Sequence, residues 1–303
     1  MSRVSSSPPR WVVYVWLAVG VASVSAAAIF IRLADAEPMT VAAYRMVLGA
    51  ALVAAPTLVR ARSALRAVRR DDGPLLVLSA VFLAGTTLSF TASLSLTSVA
   101  SSVLLVTTAP VFVAVGSHLL LRERVGALTA AAIAVSMAGG LVLALGSWDG
   151  EGRRMVGDAL ALVGAITVAA HMIVGRRLRG HIANLPYITI VYAIAGALLL
   201  GSAIASGAPM LGLPAEAYLW IAMAAMLPQA VGHSLLNWSL GHMPATNVAL
   251  AVRVEPIIAT LLAIPVLGEV PPWTVVPGGT LVLAGEYLAI RGEARMSSLR
   301  PPG

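Results

Sequence analysis

The chain has 303 residues, of which 59% are hydrophobic and 11% are charged, and its mean hydropathy is +0.90. This number of charged residues is too small to cover the surface of a soluble protein of this length. The composition therefore excludes an ordinary globular protein and indicates a membrane protein. The formal net charge is +7, with arginine as the only cation, and cysteine and lysine are absent; this excludes disulfides, thiolate metal sites and Schiff-base chemistry.

Ten apolar runs are long enough to cross a hydrocarbon core of about 30 Å, which takes about 20 helical residues. In chain order, the predicted membrane helices are 11–31, 39–59, 74–95, 98–121, 125–146, 156–176, 186–205, 216–240, 246–267 and 272–291. The first run also has features of a signal peptide, but it is too long for a signal core, so we expect it to be retained. The predicted fold class is an all-α integral membrane protein.

Arginine is distributed unevenly between the predicted loops. With a cytoplasmic N-terminus, fifteen arginines fall in inner segments, whereas only Arg32, Arg153 and Arg154 fall in outer ones. This asymmetry predicts that both termini are cytoplasmic and that the protein crosses a bacterial cytoplasmic membrane. Because the arginines lie in separate short loops, membrane topology explains the basicity, and no nucleic acid partner is expected.

The two halves of the chain are related by an offset of 146 residues. The clearest stretch, 244–269, is repeated by 99–123, with Pro110 at the position of Pro256. Each half holds five predicted helices, and because five is odd, the second half must enter the membrane in the opposite orientation. Inverted repeats of this kind are typical of transporters.

The predicted organisation follows from these runs. A cytoplasmic N-terminus covers 1–10, the first repeat 11–146, an outer linker 147–155, the second repeat 156–291 and a cytoplasmic tail 292–303. The two five-helix repeats are expected to enclose a central cavity.

Charged residues inside predicted membrane helices need a partner or a function, because an unpaired charge costs about 2.5–3.5 kcal/mol at the bilayer centre. Arg253 and Glu255 point to nearly opposite faces of one helix, while Glu286 lies at a similar depth on the next. We therefore predict an Arg253–Glu286 ion pair. Glu255 is then left as a candidate ion or proton site beside Pro256; alternatively, it hydrogen-bonds a neighbouring backbone and holds a kink.

The run 216–240 carries a polar stripe. Gln229, His233 and Asn237 recur at every fourth position, which places them on one face of an α-helix. The 146-residue offset places Thr87 and Thr91 at the positions of His233 and Asn237 in the first half. This pattern indicates the lining of a wet cavity, and hydrogen bonding between helices is the alternative.

Arg45 is near the outer end of its helix, so we expect it either to extend outward toward Asp35 or Glu37 or to attract an anionic substrate. Further candidates for the substrate site are Trp238, His171, Tyr192 and Asn247. Capping and loop hydrogen bonds are expected for Glu123, Asp158 and Glu269, which lie at helix ends.

Several short motifs occur in a recognisable order. They are Arg45 early in the second helix, Thr108-Ala109-Pro110 with Arg122-Glu123-Arg124, Gly157-Asp158, and Glu255-Pro256 with Leu267-Gly268-Glu269. With these motifs the chain resembles the EamA-type transporters of the drug/metabolite transporter superfamily over nearly its whole length. The resemblance implies ten helices with both termini cytoplasmic, a central cavity, and export or exchange of small metabolites, but it does not identify the substrate.

The sequence therefore predicts a secondary transporter that exports or exchanges a small metabolite, such as an amino acid or a drug, by alternating access and with proton coupling as an option. Its partners would be the solute and the bilayer, and no cofactor or metal is expected. The alternatives are an integral-membrane enzyme or flippase acting on lipid-linked substrates, and a sensor or partner subunit that does not transport. The motifs of nucleotide, zinc and serine-hydrolase sites are absent from the sequence.

Overall fold

The computed structural model describes residues 9–66, 68–109, 111–113, 115–116, 127–146, 152–179, 181–240, 251–252 and 254–298. Within these ranges every regular element is a helix. In the first half they are α1 (Arg10–Ser25), α2 (Ala27–Ala34), α3 (Pro38–Arg60), α4 (Arg62–Arg66), a 3-10 turn (Arg70–Asp72), α5 (Gly73–Leu96), α6 (Val99–Val106) and α7 (Ala127–Gly146). In the second half they are α8 (Arg153–Leu178), α9 (Asn184–Ser206), α10 (Ala215–Ala224), a π-helix (Ala225–Gly232), α11 (His233–Leu240), α12 (Glu255–Leu267) and α13 (Val275–Ser298).

Six helical stretches among the described residues are long and apolar enough to cross a membrane, and four further apolar stretches are shorter. Large apolar side chains cover the outside of the bundle: Leu145 is 68% exposed, Ile204 66% and Leu261 61%. A soluble protein rarely exposes apolar side chains so continuously, whereas lipid accepts them. The chain is a multi-pass membrane protein, and its described part is helical throughout.

The prediction of one unbroken helix over 98–121 is wrong. The helix that begins at Val99 ends at Val106, and a turn at Thr107 and Thr108 follows. A proline two residues later explains the break, since proline lacks an N–H and disfavours helical geometry in the residue before it. The hydroxyls of Thr107 and Thr108 donate to the carbonyls of Leu104 and Leu105, which satisfies backbone acceptors at the break.

The run 246–267 is also interrupted. Residues 251–252 are helical, Val254 forms a turn, and α12 begins at Glu255 with Pro256 in its first turn. Under the 146-residue offset, Val254 corresponds to Thr108, so the two halves are interrupted at equivalent positions.

The run 216–240 is not a uniform α-helix. Its central part, Ala225–Gly232, has π-helical hydrogen bonding and contains Pro228. A π-helix pairs residues five apart instead of four, so side-chain positions drift relative to an α-helix. The run 11–31 likewise divides at Ala26, between α1 and α2.

Contacts near the helix ends define two opposite faces of the bundle. On the first, here the Thr97 face, Thr97 bonds Asp158, and the N–H of Val99 donates to Oε1 of Glu269 across 2.9 Å. On the opposite side, the His181 face, Nε2 of His181 lies 2.9 Å from Oδ1 of Asp72. The helices between these contacts therefore run from one face to the other.

Two pairs of helices that correspond under the 146-residue offset pack against each other in antiparallel fashion. Thr40, near the start of α3, donates to the carbonyl of Pro209, just beyond the end of α9. At the other end of α3, the hydroxyl of Thr57 lies 2.8 Å from that of Thr189, near the start of α9. The same holds for α7 and α13, where small residues permit close approach of the two backbones.

Candidate functional site

Arg45 lies inside the bundle rather than at its rim. It is the eighth residue of α3 and is 7% exposed. Its Nη2 donates to Oε1 of Gln229 across 3.0 Å. The expected outward extension of Arg45 toward Asp35 or Glu37 is therefore not what the structure has, and Glu37 instead accepts from the N–H of Thr40 and caps α3.

Gln229 is held from two sides. It belongs to the π-helix and is 3% exposed. Gly49, one turn after Arg45, leaves room for it, since a Cβ at Gly49 would lie only 2.9 Å from Cγ of Gln229. The amide thus fills the space that the glycine leaves and turns its oxygen toward the guanidinium. The sequence reasoning missed Gly49, although a glycine inside an apolar helix is itself a signal of close approach.

Tyr192 on α9 completes this group. It is buried, and its hydroxyl is close to the Gln229 side chain. It is also close enough to Arg45 for the two polar groups to interact electrostatically. Three predicted site residues from α3, α9 and the π-helix are therefore brought together.

His233 follows the π-helix and is accessible to solvent. Its electrostatic neighbours include Arg45 on α3 and His171 on α8. Polar groups from two other helices lie close to His233, yet its side chain is accessible. His233 therefore borders a space within the bundle. Gln229, four residues earlier, is buried instead.

Glu255 is the first residue of α12 and is partly buried. It lies near enough to Arg45 for electrostatic interaction, yet no ion pair joins them within the described residues. No hydrogen bond from its carboxylate to any described residue is present either, so the described part offers no support for the expected backbone bond. Its position in the first helical turn favours a negative charge, because the N–H groups there are not paired within the helix.

Several predicted site residues lie outside what the structure describes. These are Arg253 and Asn247, together with the side chains of Asn237 and Glu286. The Arg253–Glu286 ion pair and the third position of the polar stripe therefore stay predictions. Glu123 and Pro110 also lie outside the described residues.

The two stripe residues of the first half form no hydrogen bond with Gln229 in the described structure. Thr87 donates to the carbonyl of Leu83 and Thr91 to that of Thr87, so both are bonded to their own helix. Both are buried. Trp238 on α11 is half-buried.

His171 is part of a separate polar group near the His181 face. Its Nδ1 lies 2.9 Å from the hydroxyl of Ser79, which is 2.7 Å from the hydroxyl of Tyr187. The imidazole also stacks on the Tyr187 ring. Gly175 leaves room for the tyrosine hydroxyl. This network ties α5, α8 and α9 together, and its residues other than His171 were not anticipated from the sequence.

The motif residues at the helix ends bind the segment that links α5 and α6. Asp158 accepts from the hydroxyl of Thr97 across 2.7 Å, and Glu269 accepts from the N–H of Val99. Gly268 ends α12 with a φ of 64°, a left-handed conformation that glycine adopts without strain. Hydrogen bonding at helix ends, as expected for Asp158 and Glu269, is what the structure has.

Two segments of the chain, residues 11–145 and 155–291, match the EamA-like transporter family. The uncharacterized transporter YdfC of Bacillus subtilis (strain 168) is 25% identical over 182 residues, which are 60% of this chain and 59% of that protein. An uncharacterized transporter of Archaeoglobus fulgidus is 28% identical over 227 residues, covering 75% of this chain and 80% of the relative. The match thus spans about three fifths of the Bacillus protein.

A solved crystal structure superposes on this chain with a TM-score of 0.64 at 19% identity, covering 95% of this chain and 99% of the other. At that identity the likeness establishes a shared fold alone. The two family segments, by contrast, together account for most of the chain. The chain therefore belongs to the EamA-like transporter family, in keeping with its multi-pass membrane character.

Proposed function

We propose that this protein is a secondary transporter that exports or exchanges a small metabolite by alternating access. Its ten membrane helices would form two inverted five-helix repeats, with the substrate site at Arg45, Tyr192, Gln229, His233 and Glu255. The observation that carries the proposal is the position of this polar group. Arg45 from the first half and Gln229 from the second are bonded to each other inside the bundle.

An inverted repeat is supported by contacts that exchange under the 146-residue offset. A Cβ at Gly139 would lie 2.7 Å from the carbonyl oxygen of Gly278, and one at Gly285 would lie 2.8 Å from that of Ala132. The offset converts Gly139 into Gly285 and Ala132 into Gly278, so each contact becomes the other. A two-fold relation between antiparallel repeats produces this exchange.

The helix interruptions support a site at the membrane midplane. At a rise of 1.5 Å per residue, Glu255 lies about 18 Å from the end of α12, and Arg45 lies about 10 Å from the start of α3 on the same face. The arginine side chain can cover several of the ångströms between them. Binding sites at broken helices near the midplane are characteristic of transporters with inverted repeats.

The orientation is proposed from the arginines. Arg60, Arg62 and Arg177 lie near the His181 face, whereas Arg32 and Arg153 lie near the Thr97 face, where they donate to carbonyls at the end of α5. The His181 face, with both termini, would therefore be cytoplasmic in a bacterial cell membrane.

Proton coupling is proposed for Glu255. Its carboxylate has no hydrogen-bond partner among the described residues, and Arg45 is the charged group near it there. A carboxyl group that is reached by water from alternate sides can carry a proton in one direction as the cycle turns. The corresponding residue of the first half is Ala109, so coupling would depend on the second half alone.

The function is tested by comparing solutes outside cells that overexpress the wild type with those outside cells carrying the vector alone. We expect one or a few small solutes to accumulate outside the cells with wild type. The same purified protein in liposomes should exchange the identified solute. If no solute differs and no exchange is found for abundant cellular metabolites, export and exchange are both rejected.

Coupling needs a separate test with Glu255→Gln in the same liposomes. We expect this variant to keep exchange of solute for solute but to lose accumulation driven by an imposed pH gradient. Asp71→Asn, on an exposed residue of the 3-10 turn, is the matched control. Accumulation that still follows the pH gradient in Glu255→Gln would reject the coupling role and leave transport standing.

Flipping of a lipid-linked substrate is the second candidate, because an apolar groove lies beside the bundle. It has a volume of about 380 Å³ and includes Leu78, Phe82, Phe112 and Ile173 among its lining residues. Such a lining suits an acyl or polyprenyl chain. Transfer of a fluorescent phospholipid between the two leaflets of liposomes that contain the protein would favour lipid flipping over transport of a soluble solute.

A further inference from the structure

The guanidinium of Arg45 is only partly satisfied. One nitrogen, Nη2, donates to Gln229. Nε and Nη1 are buried and have no hydrogen-bond partner among the described residues. These two nitrogens carry three N–H groups, one on Nε and two on Nη1, so the side chain presents three donors that no described residue accepts.

Such an arrangement is costly unless a partner arrives. Arginine stays protonated in proteins, and a buried charge without a partner is destabilising by several kcal/mol, so it is normally paired. Glu255 is near, but it does not approach Arg45 within ion-pair distance in the described residues. The charge of Arg45 is therefore balanced at a distance and is available to an incoming group.

With Glu255 ionised, the surroundings favour a group with a single negative charge. Glu255 would repel a second charge on the ligand, which disfavours a phosphate dianion. Planar carboxylates match the planar donors of a guanidinium, and the resulting hydrogen bonds are charge-assisted. Gln229 holds the guanidinium by accepting a hydrogen bond from its third nitrogen, Nη2. Because the arginine side chain is already restricted, it loses less conformational entropy when a ligand binds.

We propose that Arg45 binds the carboxylate of the transported solute and that Gln229 is the positioning residue that holds Arg45 in place. This inference rests on the proposed transport function and adds the chemical class of the substrate, a small monocarboxylate with or without an amine. The sugars and uncharged drugs that such a bundle could also admit would not be substrates of this site.

The first test is the identity of the solute that the wild type moves. We expect it to carry one carboxylate, and a moved solute without a carboxylate would overturn the inference while leaving transport intact. If no solute is moved at all, the proposed function itself fails, which is a different result.

The second test uses the identified acid and its primary amide in the same liposomes. The wild type should bind the acid in preference to the amide, and Arg45→Lys should weaken the apparent affinity for the acid about tenfold, as expected for one lost charge-assisted hydrogen bond. Arg45→Lys keeps the positive charge, so it is suitable even if Arg45→Gln fails to fold. Arg62→Lys, on a short exposed helix, is the control.

The comparison of acid with amide separates binding from a structural role. A purely structural arginine would lower transport of both compounds alike and would leave their ratio unchanged, which would overturn the inference. Gln229→Ala should lower the same ratio less than Arg45→Lys does, because it only frees the guanidinium to move.

Discussion

The hydroxyl of Thr97 donates to Oδ1 of Asp158 across 2.7 Å, and both residues are buried. The bond joins the end of α5 in the first half to the start of α8 in the second. It forms there because Gly157 permits close approach: a Cβ at Gly157 would lie 2.8 Å from Cβ of Thr97. The Gly-Asp motif is thus one contact, in which the glycine makes the room and the aspartate makes the bond.

Thr97→Val removes this donor at nearly constant volume. We expect the free energy of unfolding in detergent to fall by about 1–2 kcal/mol, because a buried hydrogen bond is lost. Thr280→Val is the control, since Thr280 is exposed and its hydroxyl donates to a carbonyl of its own helix. A double-mutant cycle with Asp158→Ala isolates the pair, and additive losses would contradict direct coupling.

The contact between α7 and α13 leads to a second prediction. Gly139→Ala would place a Cβ 2.7 Å from backbone atoms of Gly278 and Val282, which cannot move independently. We expect a loss of about 1–3 kcal/mol in the free energy of unfolding. Gly201→Ala, where no atom lies within 4 Å of the added Cβ, should not lower stability and should raise it slightly, because alanine favours a helix more than glycine does. Equal thermal midpoints for the two variants would refute the close approach.

Gly49→Ala addresses the site rather than the fold. Its Cβ would meet Cγ of Gln229 at 2.9 Å, so the amide should turn away from Arg45, and the melting temperature should fall modestly because a buried hydrogen bond is lost. We expect a severalfold weaker apparent affinity for the transported solute. In a Gln229→Ala background the same substitution should have no further effect, and a full additional loss would mean that Gly49 acts through another contact.

Membrane orientation is accessible to cysteine labelling, because the chain contains no cysteine of its own. Leu211→Cys and Val270→Cys lie on the Thr97 face at positions that are 84% and 85% exposed. Both should react with an impermeant maleimide in intact cells, whereas Arg62→Cys should react only after lysis. The reverse pattern would place the His181 face outside the cell.

Much of the helical frame is predictable from hydropathy, because a membrane-crossing helix must be continuously apolar. The runs 39–59, 74–95, 156–176 and 186–205 each lie within an observed helix. The interruptions were missed because hydropathy does not register them: Thr107, Thr108 and Val254 are compatible with an apolar run. The prolines that follow these residues could have predicted the interruptions, and Pro228 could have predicted the irregular hydrogen bonding of the π-helix.

The site was predictable as a set of residue types and not as a set of contacts. Arg45 and Gln229 are 184 positions apart, and helical spacing within one run says nothing about a partner on another. Depth alone suggested that Arg45 extends outward. Its actual direction depends on Gly49, which makes an inward partner reachable, and that effect exists only once α3 and the π-helix are packed together.

The π-helix of Ala225–Gly232 also holds one more residue per hydrogen-bonded loop than an α-helix does. If the extra residue moved out of the π-helix, the segment would return to α-helical hydrogen bonding. The residues that follow would then rotate about the helix axis by about 100° for each residue by which the pairing shifts. His233 would then sweep around the axis while α10 stayed anchored. A small local rewinding could thus re-aim an imidazole without any rigid-body tilt.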